Sequence, residues 1–199
     1  MIDKIARPAE ASARRGYHHG DLRAALLQTG MQLLEDDKGE GVSLRQVARQ
    51  IGVTVGAVYR HFPDKAALLQ ALAGEGLAQL GKAQSEAMAS EGTGQAAFNA
   101  SGRAYVRFAL KRPALFRLIM SCAPPVNHFA DDLTAVTGPM RLLRETVKNL
   151  APDASAEDLR IAALRSWSIV HGLAMLMLDG QTPADDALID RVIDSQTFL

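Results

Sequence analysis

The sequence has 199 residues, of which 48% are hydrophobic, so it is long enough to bury a core in one large domain or two small ones. Its single cysteine, Cys122, excludes an intramolecular disulfide framework, and no Cys-x-x-Cys or His-x-x-His spacing indicates a metal site. The amino terminus lacks the apolar segment of a signal peptide, and Arg165 and His171 interrupt the most apolar stretch, residues 161–178. We therefore expect a cytoplasmic protein without a membrane span.

The formal net charge is zero, which taken alone argues against a nucleic-acid partner. The distribution is less even, because residues 1–65 carry 10 Lys and Arg against 8 Asp and Glu, whereas residues 66–199 carry 12 against 14. Part of the basic excess, including Arg14 and Arg15, precedes the first predicted helix. Residues 1–16 have no periodic apolar face, which predicts a mobile basic arm.

Every segment with a regular apolar pattern has a helical period, which predicts an all-α fold of about nine helices. Leucines at spacings of three and four predict the first helix over about residues 20–36. Three residues with capping side chains precede the second, third and fourth helices: Ser43, Thr54 and Asp64. Gly52 and Pro63 end the second and third helices, and the fourth extends to about residue 92.

The rest of the chain follows the same period. Residues 94–111 predict a fifth helix, and Pro113 opens a short sixth. An apolar stripe over residues 133–150 predicts the seventh. A long helix follows at 156–179, and Pro183 is predicted to start the last one.

Two short helices joined by a turn that contains a glycine predict a helix-turn-helix between Ser43 and Phe62. In this motif the second helix lies in the DNA major groove and the first crosses behind it. Val58 and Phe62 share one helical face and are predicted to join the core, so the rest of the short helix points outward. Gly56 would let the backbone approach DNA closely, at a helix cost of ~1 kcal/mol. The alternative is that Gly56 serves tight helix packing.

Residues 41–69, GVSLRQVARQIGVTVGAVYRHFPDKAALL, resemble the DNA-binding segment of TetR-type transcriptional regulators, and YRHFPDK is the most specific part. Residues 14–27, RRGYHHGDLRAALL, are similar to the lead-in of one subgroup. That subgroup often carries a carboxy-terminal Trp-x-x-x-His-Gly element, the WHG type, and SWSIVHGL matches its spacing with Trp167, His171 and Gly172.

The resemblance implies a homodimer with a basic arm at 1–16, a helix-turn-helix domain at 17–65 and a helical ligand-binding and dimerisation domain at 66–199. It further implies binding to double-stranded DNA at a palindromic operator. The expected function is repression, relieved when a small apolar or amphipathic ligand binds. No cofactor, catalytic residue or metal is expected.

Matched position by position, five residues correspond to phosphate contacts in the family: Ser43, Thr54, Tyr59, His61 and Lys65. Three correspond to positions that face bases: Val55, Gly56 and Arg60. Arg45 is also predicted to contact DNA from within the motif. Positions 55 and 57 are often polar in the family but are Val55 and Ala57 here, so hydrogen-bonded base readout is predicted to be sparse. We expect specificity to depend on thymine methyl contacts, on Arg60, and on Arg14 or Arg15 in the minor groove.

The helix predicted at 156–179 is apolar around nearly its whole circumference, so it must be buried on all sides. Another subunit is the expected second cover, which predicts a homodimer formed through the last two helices. Trp167 and His171 lie four residues apart on one face. They are either a hydrogen-bonded core pair or part of a ligand pocket, with His171 as polar anchor and these walls: Tyr105, Phe108, Phe116, Met120, Met140 and Trp167.

Two alternatives accompany the ligand-released repressor. One is a DNA-binding regulator that needs no ligand, which the same residues fit equally well. The other is a small all-α enzyme, but the sequence has no Gly-rich phosphate loop, HExxH or GxSxG motif. Cys122 is better explained as a small hydrophobic residue or an unreactive thiol than as a nucleophile.

Overall fold

The computed structural model describes residues 19–36, 41–122 and 138–195. Within these ranges the chain forms nine helices and no strand. The helices are α1 His19–Glu35, α2 Leu44–Ile51, α3 Val55–Tyr59, α4 Lys65–Glu91, α5 Gly94–Lys111, α6 Pro113–Cys122, α7 Gly138–Leu150, α8 Ala156–Leu178 and α9 Asp186–Asp194. The predicted all-α fold is confirmed. The predicted arm, with Arg14 and Arg15, and residues 133–137 of the predicted seventh helix lie outside the described residues.

The helix starts around the motif follow from side-chain caps. Ser43 and Gln46 form a reciprocal capping box, in which the Gln46 amide donates to Ser43 Oγ at 3.2 Å and the Ser43 amide donates to Gln46 Oε1 at 2.9 Å. The Thr54 and Asp64 side chains cap α3 and α4 in the same sense. Gly52 ends α2 at a φ of 77°, a left-handed conformation that glycine adopts without strain.

The start of α9 is the boundary that the sequence pattern predicted wrongly. Pro183 was expected to open this helix, but α9 begins at Asp186. The reason is a competing cap at Asp185, whose carboxylate accepts hydrogen bonds from the amides of Ala187 and Leu188. Asp185 thereby satisfies two amides of the first helical turn that would otherwise lack a partner, which fixes the start of α9 after Pro183.

One hydrophobic core connects the three amino-terminal helices to the rest of the molecule. Leu26 of α1 and Val47 of α2 belong to the same buried cluster as Leu72 of α4 and Phe116 of α6. Helix α4 has 27 residues and contributes to both parts. The division of the chain at residue 65 therefore stays a prediction, since buried contacts continue across it.

Glycines allow α4 to pack closely against its neighbours. A Cβ added at Gly76 would lie 2.6 Å from Leu115 Cδ1 and 3.0 Å from Ile119 Cδ1, both in α6. A Cβ at Gly30 would lie 3.1 Å from Leu72 Cδ2, where α1 meets α4. The close approach at Gly30 packs α1, which also contacts α2, against the amino-terminal part of α4.

Helix α8 is long and apolar enough to cross a membrane by length and composition alone. The core helix of a soluble protein passes the same test, and α8 contributes buried residues such as Ala163, Leu173 and Ala174. Its outward side keeps Ile161, Leu164 and Leu176 exposed.

Candidate DNA interface and ligand cavity

The inner face of α3 anchors the helix-turn-helix. Val58 is fully buried and Phe62 nearly so, and both belong to the cluster that contains Val47 of α2. The Phe62 amide also donates to the Val58 carbonyl oxygen at 2.9 Å, which fixes the residue just after α3. The opposite side of this short helix must therefore face solvent.

The outward face of α3, with the residues that cap it, carries four of the eleven residues predicted to contact DNA. Thr54, Gly56 and Arg60 are exposed, and Tyr59 keeps 49% of its surface accessible. A Cβ added at Gly56 would meet no atom of the described residues within 4 Å. Tight helix packing therefore does not explain this glycine, and the alternative that it leaves the backbone accessible is favoured.

Two apolar residues of α3, Val55 and Ala57, are less exposed than the sequence indicated. Ala57 is only 8% exposed and Val55 is partly buried against the core. The cause is helical spacing, because Val55 lies three residues before Val58 and so turns toward the same side. The apolar surface that α3 offers to thymine methyl groups is consequently smaller than the sequence indicated.

Several residues predicted to contact DNA lie near the starts of α2 and α4. Lys65 opens α4, and its Nζ lies 3.4 Å from the position that a Cβ would take at Gly41, two residues before Ser43. Ser43 is partly buried, because its hydroxyl group takes part in the capping box. Arg45 is exposed one residue into α2, and His61 is half-buried beyond α3.

Arg23 is a basic residue at this surface that sequence reasoning missed. Its guanidinium carbon lies 5.4 Å from the centroid of the Phe62 ring, within cation–π range. It remains exposed on α1, at the edge of the motif. Only tertiary packing brings α1 to Phe62, so no spacing rule within the sequence could have assigned this contact.

A cavity of about 60 Å³ lies between α4, α5, α7 and α8. Of the seven predicted pocket residues, Tyr105, Met140 and Trp167 line it. The other four do not: Phe108, Phe116, Met120 and His171. Phe108 and Phe116 are buried core residues and Met120 packs against that core, so these apolar side chains are used for packing. Aromatic and methionine residues at helical spacing do not by themselves distinguish a core from a pocket.

His171 belongs to a hydrogen-bonded chain in the core. The Tyr105 hydroxyl lies 3.0 Å from His171 Nδ1. Burial raises the pKa of Tyr105 to about 12, against the opposing effect of a hydrogen bond from the Trp167 side chain. Burial also lowers the pKa of His171. Neutral His171 and protonated Tyr105 thus form a hydrogen-bonded pair between α8 and α5, which supports the alternative of a core pair. The role of His171 as a ligand anchor stays a prediction.

The cavity has polar members that the sequence pattern did not reveal, including Gln84 of α4 and Ser101 of α5. Gln84 Nε2 donates to Ser101 Oγ at 3.1 Å, and both residues are buried. Within the described part of the chain, Gln84 Oε1 is buried and accepts no hydrogen bond. A glutamine in a helix that is mostly apolar was the available signal, but its inward orientation depends on the packing of α4 against α5.

An exposed short helix after a tight turn, flanked by basic side chains on an all-α body, defines a DNA-binding regulator. Residues 26–72 match the family model described as bacterial regulatory proteins, tetR family. Residues 98–196 match the model of the tetracyclin repressor-like C-terminal domain. The chain belongs to the TetR family of transcriptional regulators, and the models that it matches describe regulators rather than enzymes.

Curated relatives match over the DNA-binding segment. The chain is 45% identical over 51 residues to the tetracycline repressor protein class C of Escherichia coli, a match that spans 26% of this chain and 23% of that protein. It is 40% identical over 52 residues to the nucleoid occlusion factor SlmA of Marinomonas sp. strain MWYL1, or 26% of each chain. The matches thus span about a quarter of the length of these relatives.

Solved structures match over most of the chain. A protein of unknown function from Rhodococcus sp. RHA1 is 33% identical, with a TM-score of 0.70 over 92% of this chain and 94% of that one. A TetR family transcription regulator from Marinobacter aquaeolei VT8 is 19% identical, with a TM-score of 0.60 over 86% of this chain and 91% of that one. The second likeness bears on the fold alone.

Proposed function

We propose that the protein is a repressor that binds a palindromic operator through α2 and α3 and is released by a small apolar or amphipathic ligand. The observation that carries this proposal is the outward face of α3, where Gly56, Tyr59 and Arg60 are exposed beside a buried Val58. A glycine that packs against nothing lowers the stability of a helix. It does, however, allow the helix backbone to approach DNA closely.

The proposed contacts divide by chemistry. Five side chains donate hydrogen bonds to phosphate oxygens through hydroxyl, imidazole or ammonium groups: Ser43, Thr54, Tyr59, His61 and Lys65. Arg60 reads a base edge, Gly56 admits the backbone, and Val55 offers the part of its surface that is not buried. Arg45 adds a cation from α2. Outside the described residues, Arg14 or Arg15 is proposed to enter the adjacent minor groove.

A palindromic operator requires a two-fold partner, and α8 offers a surface for one. Ile161, Leu164 and Leu176 are exposed on its outward side. Ser168 lies between them, as does Gly172, where an added Cβ would meet none of the described atoms within 4 Å. Small residues at this spacing let two helices approach closely. We propose that α8 and α9 of two copies form the homodimer.

Two finer assignments belong to the proposal. Trp167 and His171 pack with ring centroids 5.6 Å apart in the spacing of the Trp-x-x-x-His-Gly element, which supports the WHG subgroup. The DNA partner supports a cytoplasmic location.

A mobility-shift experiment with the promoter DNA beside the protein's own gene tests operator binding. Retardation is expected, with affinity that falls steeply as salt increases because several phosphates are neutralised per dimer. Arg60→Ala is expected to weaken binding about tenfold, whereas Lys148→Ala, a similarly exposed cation on α7, is the matched control. Removal of residues 1–16 is also expected to weaken binding sharply. An absence of retardation at low salt, or full affinity without the arm, would contradict the corresponding part of the proposal.

The size of the cavity favours a second candidate, a regulator that needs no ligand. Ligand pockets are commonly about 300–1,000 Å³, whereas this cavity is about 60 Å³. Screening small apolar compounds for release of the operator complex separates the two candidates. Release by any neutral compound that binds the protein favours the ligand-released repressor.

A further inference from the structure

The chemistry of the cavity wall restricts what it can hold. Aromatic and aliphatic side chains form most of the wall, among them Phe98, Met140, Leu143 and Trp167. None of the described residues that line it carries a charge. A charged ligand would therefore lose its hydration without gaining an ionic partner, which is unfavourable. The wall suits a neutral and largely apolar molecule.

Three of the polar side chains at this wall already make hydrogen bonds within the fold. Ser166 Oγ donates to the Ala162 carbonyl oxygen at 2.8 Å, and Thr146 Oγ1 donates to the Leu142 carbonyl oxygen at 2.7 Å. Ser101 Oγ accepts from Gln84 Nε2. The contact with Ser101 holds the Gln84 amide in one orientation.

The Gln84 carbonyl oxygen is the exception. Gln84 is only 7% exposed, and Oε1 accepts no hydrogen bond from any residue that the structure describes. A buried carbonyl without a donor destabilises the protein that contains it. Any molecule that enters the cavity and donates to Oε1 therefore removes this penalty, whereas a molecule without a donor group leaves it in place.

We propose that the ligand of this cavity is a small neutral molecule with an apolar body and one hydroxyl or N–H group that donates to Gln84 Oε1. This inference deepens the proposed ligand-released repressor and depends on it only for the consequence at the operator. A cavity of about 150 Å³ accommodates benzene, so a molecule with one ring requires this cavity of about 60 Å³ to widen. Met140 lines the wall and has a flexible side chain, which provides one route to widening.

Trp167 gives a direct measure of binding, because it lines the cavity and is the single tryptophan of the chain. Titration of the full-length protein with three probes that share one saturated ring tests the inference: cyclohexanol, which donates and accepts, cyclohexanone, which only accepts, and cyclohexanecarboxylate, which is charged. The fluorescence is corrected for the weak near-ultraviolet absorption of the ketone. We expect cyclohexanol to change Trp167 fluorescence with an affinity about five- to tenfold higher than cyclohexanone. Cyclohexanecarboxylate is expected to bind more weakly than either.

Two variants assign the discrimination to Gln84. Gln84→Met keeps the length of the side chain and removes the acceptor, so cyclohexanol and cyclohexanone should bind equally. Gln70→Met, the same change at an exposed position of α4, should retain the preference. If Gln84→Met does not fold, Ser101→Ala serves instead, because it frees the amide from its fixed orientation and should reduce the preference.

Equal binding of cyclohexanol and cyclohexanone to the unaltered protein, or no binding of either, would overturn the inference. The operator assay then distinguishes this failure from that of the proposed function. Selective binding without release from DNA supports the ligand class and contradicts the ligand-released repressor. Release that persists unchanged in Gln84→Met supports the repressor and contradicts the role of Gln84.

Discussion

At the scale of single residues, two exposed positions of α3 are not explained by the stability of the fold. Gly56 occupies a helical position where a Cβ would meet none of the described atoms, so the fold itself does not require a glycine there. Tyr59 remains half-exposed one turn further on. Both observations are explained if DNA binds to this face of α3. Stability and DNA binding should therefore separate when these positions are changed.

Gly56→Ala tests this separation. The substitution should raise the free energy of unfolding by about 0.5–1 kcal/mol, because alanine is the better helix former and nothing obstructs the methyl group. Gly56→Leu should fold but bind the operator more weakly, since its side chain projects into the space that the DNA backbone or base edges would occupy. Urea denaturation and mobility shift measure the two effects. Gly74→Ala, which is equally unobstructed on α4, is the control that should gain stability without losing DNA affinity.

His171 makes a pH-dependent contribution whose sign follows from its surroundings. Burial lowers its pKa, so between the folded and unfolded values the unfolded chain binds the additional proton. The free energy of unfolding must then fall as pH decreases through about 6.5, the ordinary histidine pKa. Urea denaturation at about pH 7.5 and at about pH 5.5 measures this change. The free energy of unfolding should fall more between the two pH values for the unaltered protein than for His171→Gln. Parallel losses in the two proteins would contradict a neutral, partly buried His171.

At the scale of helices, close packing between α4 and α6 depends on one glycine. Gly76→Ala should lower the free energy of unfolding by about 1–3 kcal/mol, because the added methyl group would lie 2.6 Å from Leu115 Cδ1 and the core must shift. Urea denaturation measures the change. Gly74→Ala, two residues earlier in the same helix, controls for propensity and should change stability in the opposite direction. A gain in stability for Gly76→Ala would indicate that α6 relaxes at no cost.

The sequence predicted helices better than it predicted their contacts. Ser43, Thr54 and Asp64 mark helix starts because a cap is a local interaction among residues three apart. Phe108 and Phe116 were misassigned to the pocket because periodicity identifies an inward face but not which inward residues meet a void. The same limit applies to pairs far apart in sequence.

Long-range polar contacts at helix junctions had no signal in the sequence. Arg112, after α5, donates from Nε to Glu35 at the end of α1, and its guanidinium also contacts Gln79 of α4. These contacts connect the helix-turn-helix side of the molecule to the α5–α6 turn. No spacing rule relates residues that are 77 positions apart.

At the scale of the whole molecule, a net charge of zero conceals a separation of charges. Arg23, Arg45 and Lys65 are exposed around the helix-turn-helix. On the other side of the molecule, the α9 carboxylates Asp186, Asp190 and Asp194 pair with Arg103 and Arg107 of α5. These three carboxylates are therefore neutralised largely by the arginines of α5, and the exposed cations around the helix-turn-helix stay available to DNA.

The apolar surface of α8 leads to a prediction about assembly. Leu176 is 49% exposed and shares the outward side of α8 with Ile161 and Leu164. Leu176→Glu should leave the isolated fold nearly unchanged, because the carboxylate remains in water, but it should disrupt a dimer that buries this side. Sedimentation velocity should give a monomer for this variant and a dimer for the unaltered protein, and operator affinity should fall because one half-site is lost per protein. Ala89→Glu adds the same charge at an exposed position of α4 and should remain dimeric. A dimeric Leu176→Glu protein would move the interface away from this side of α8.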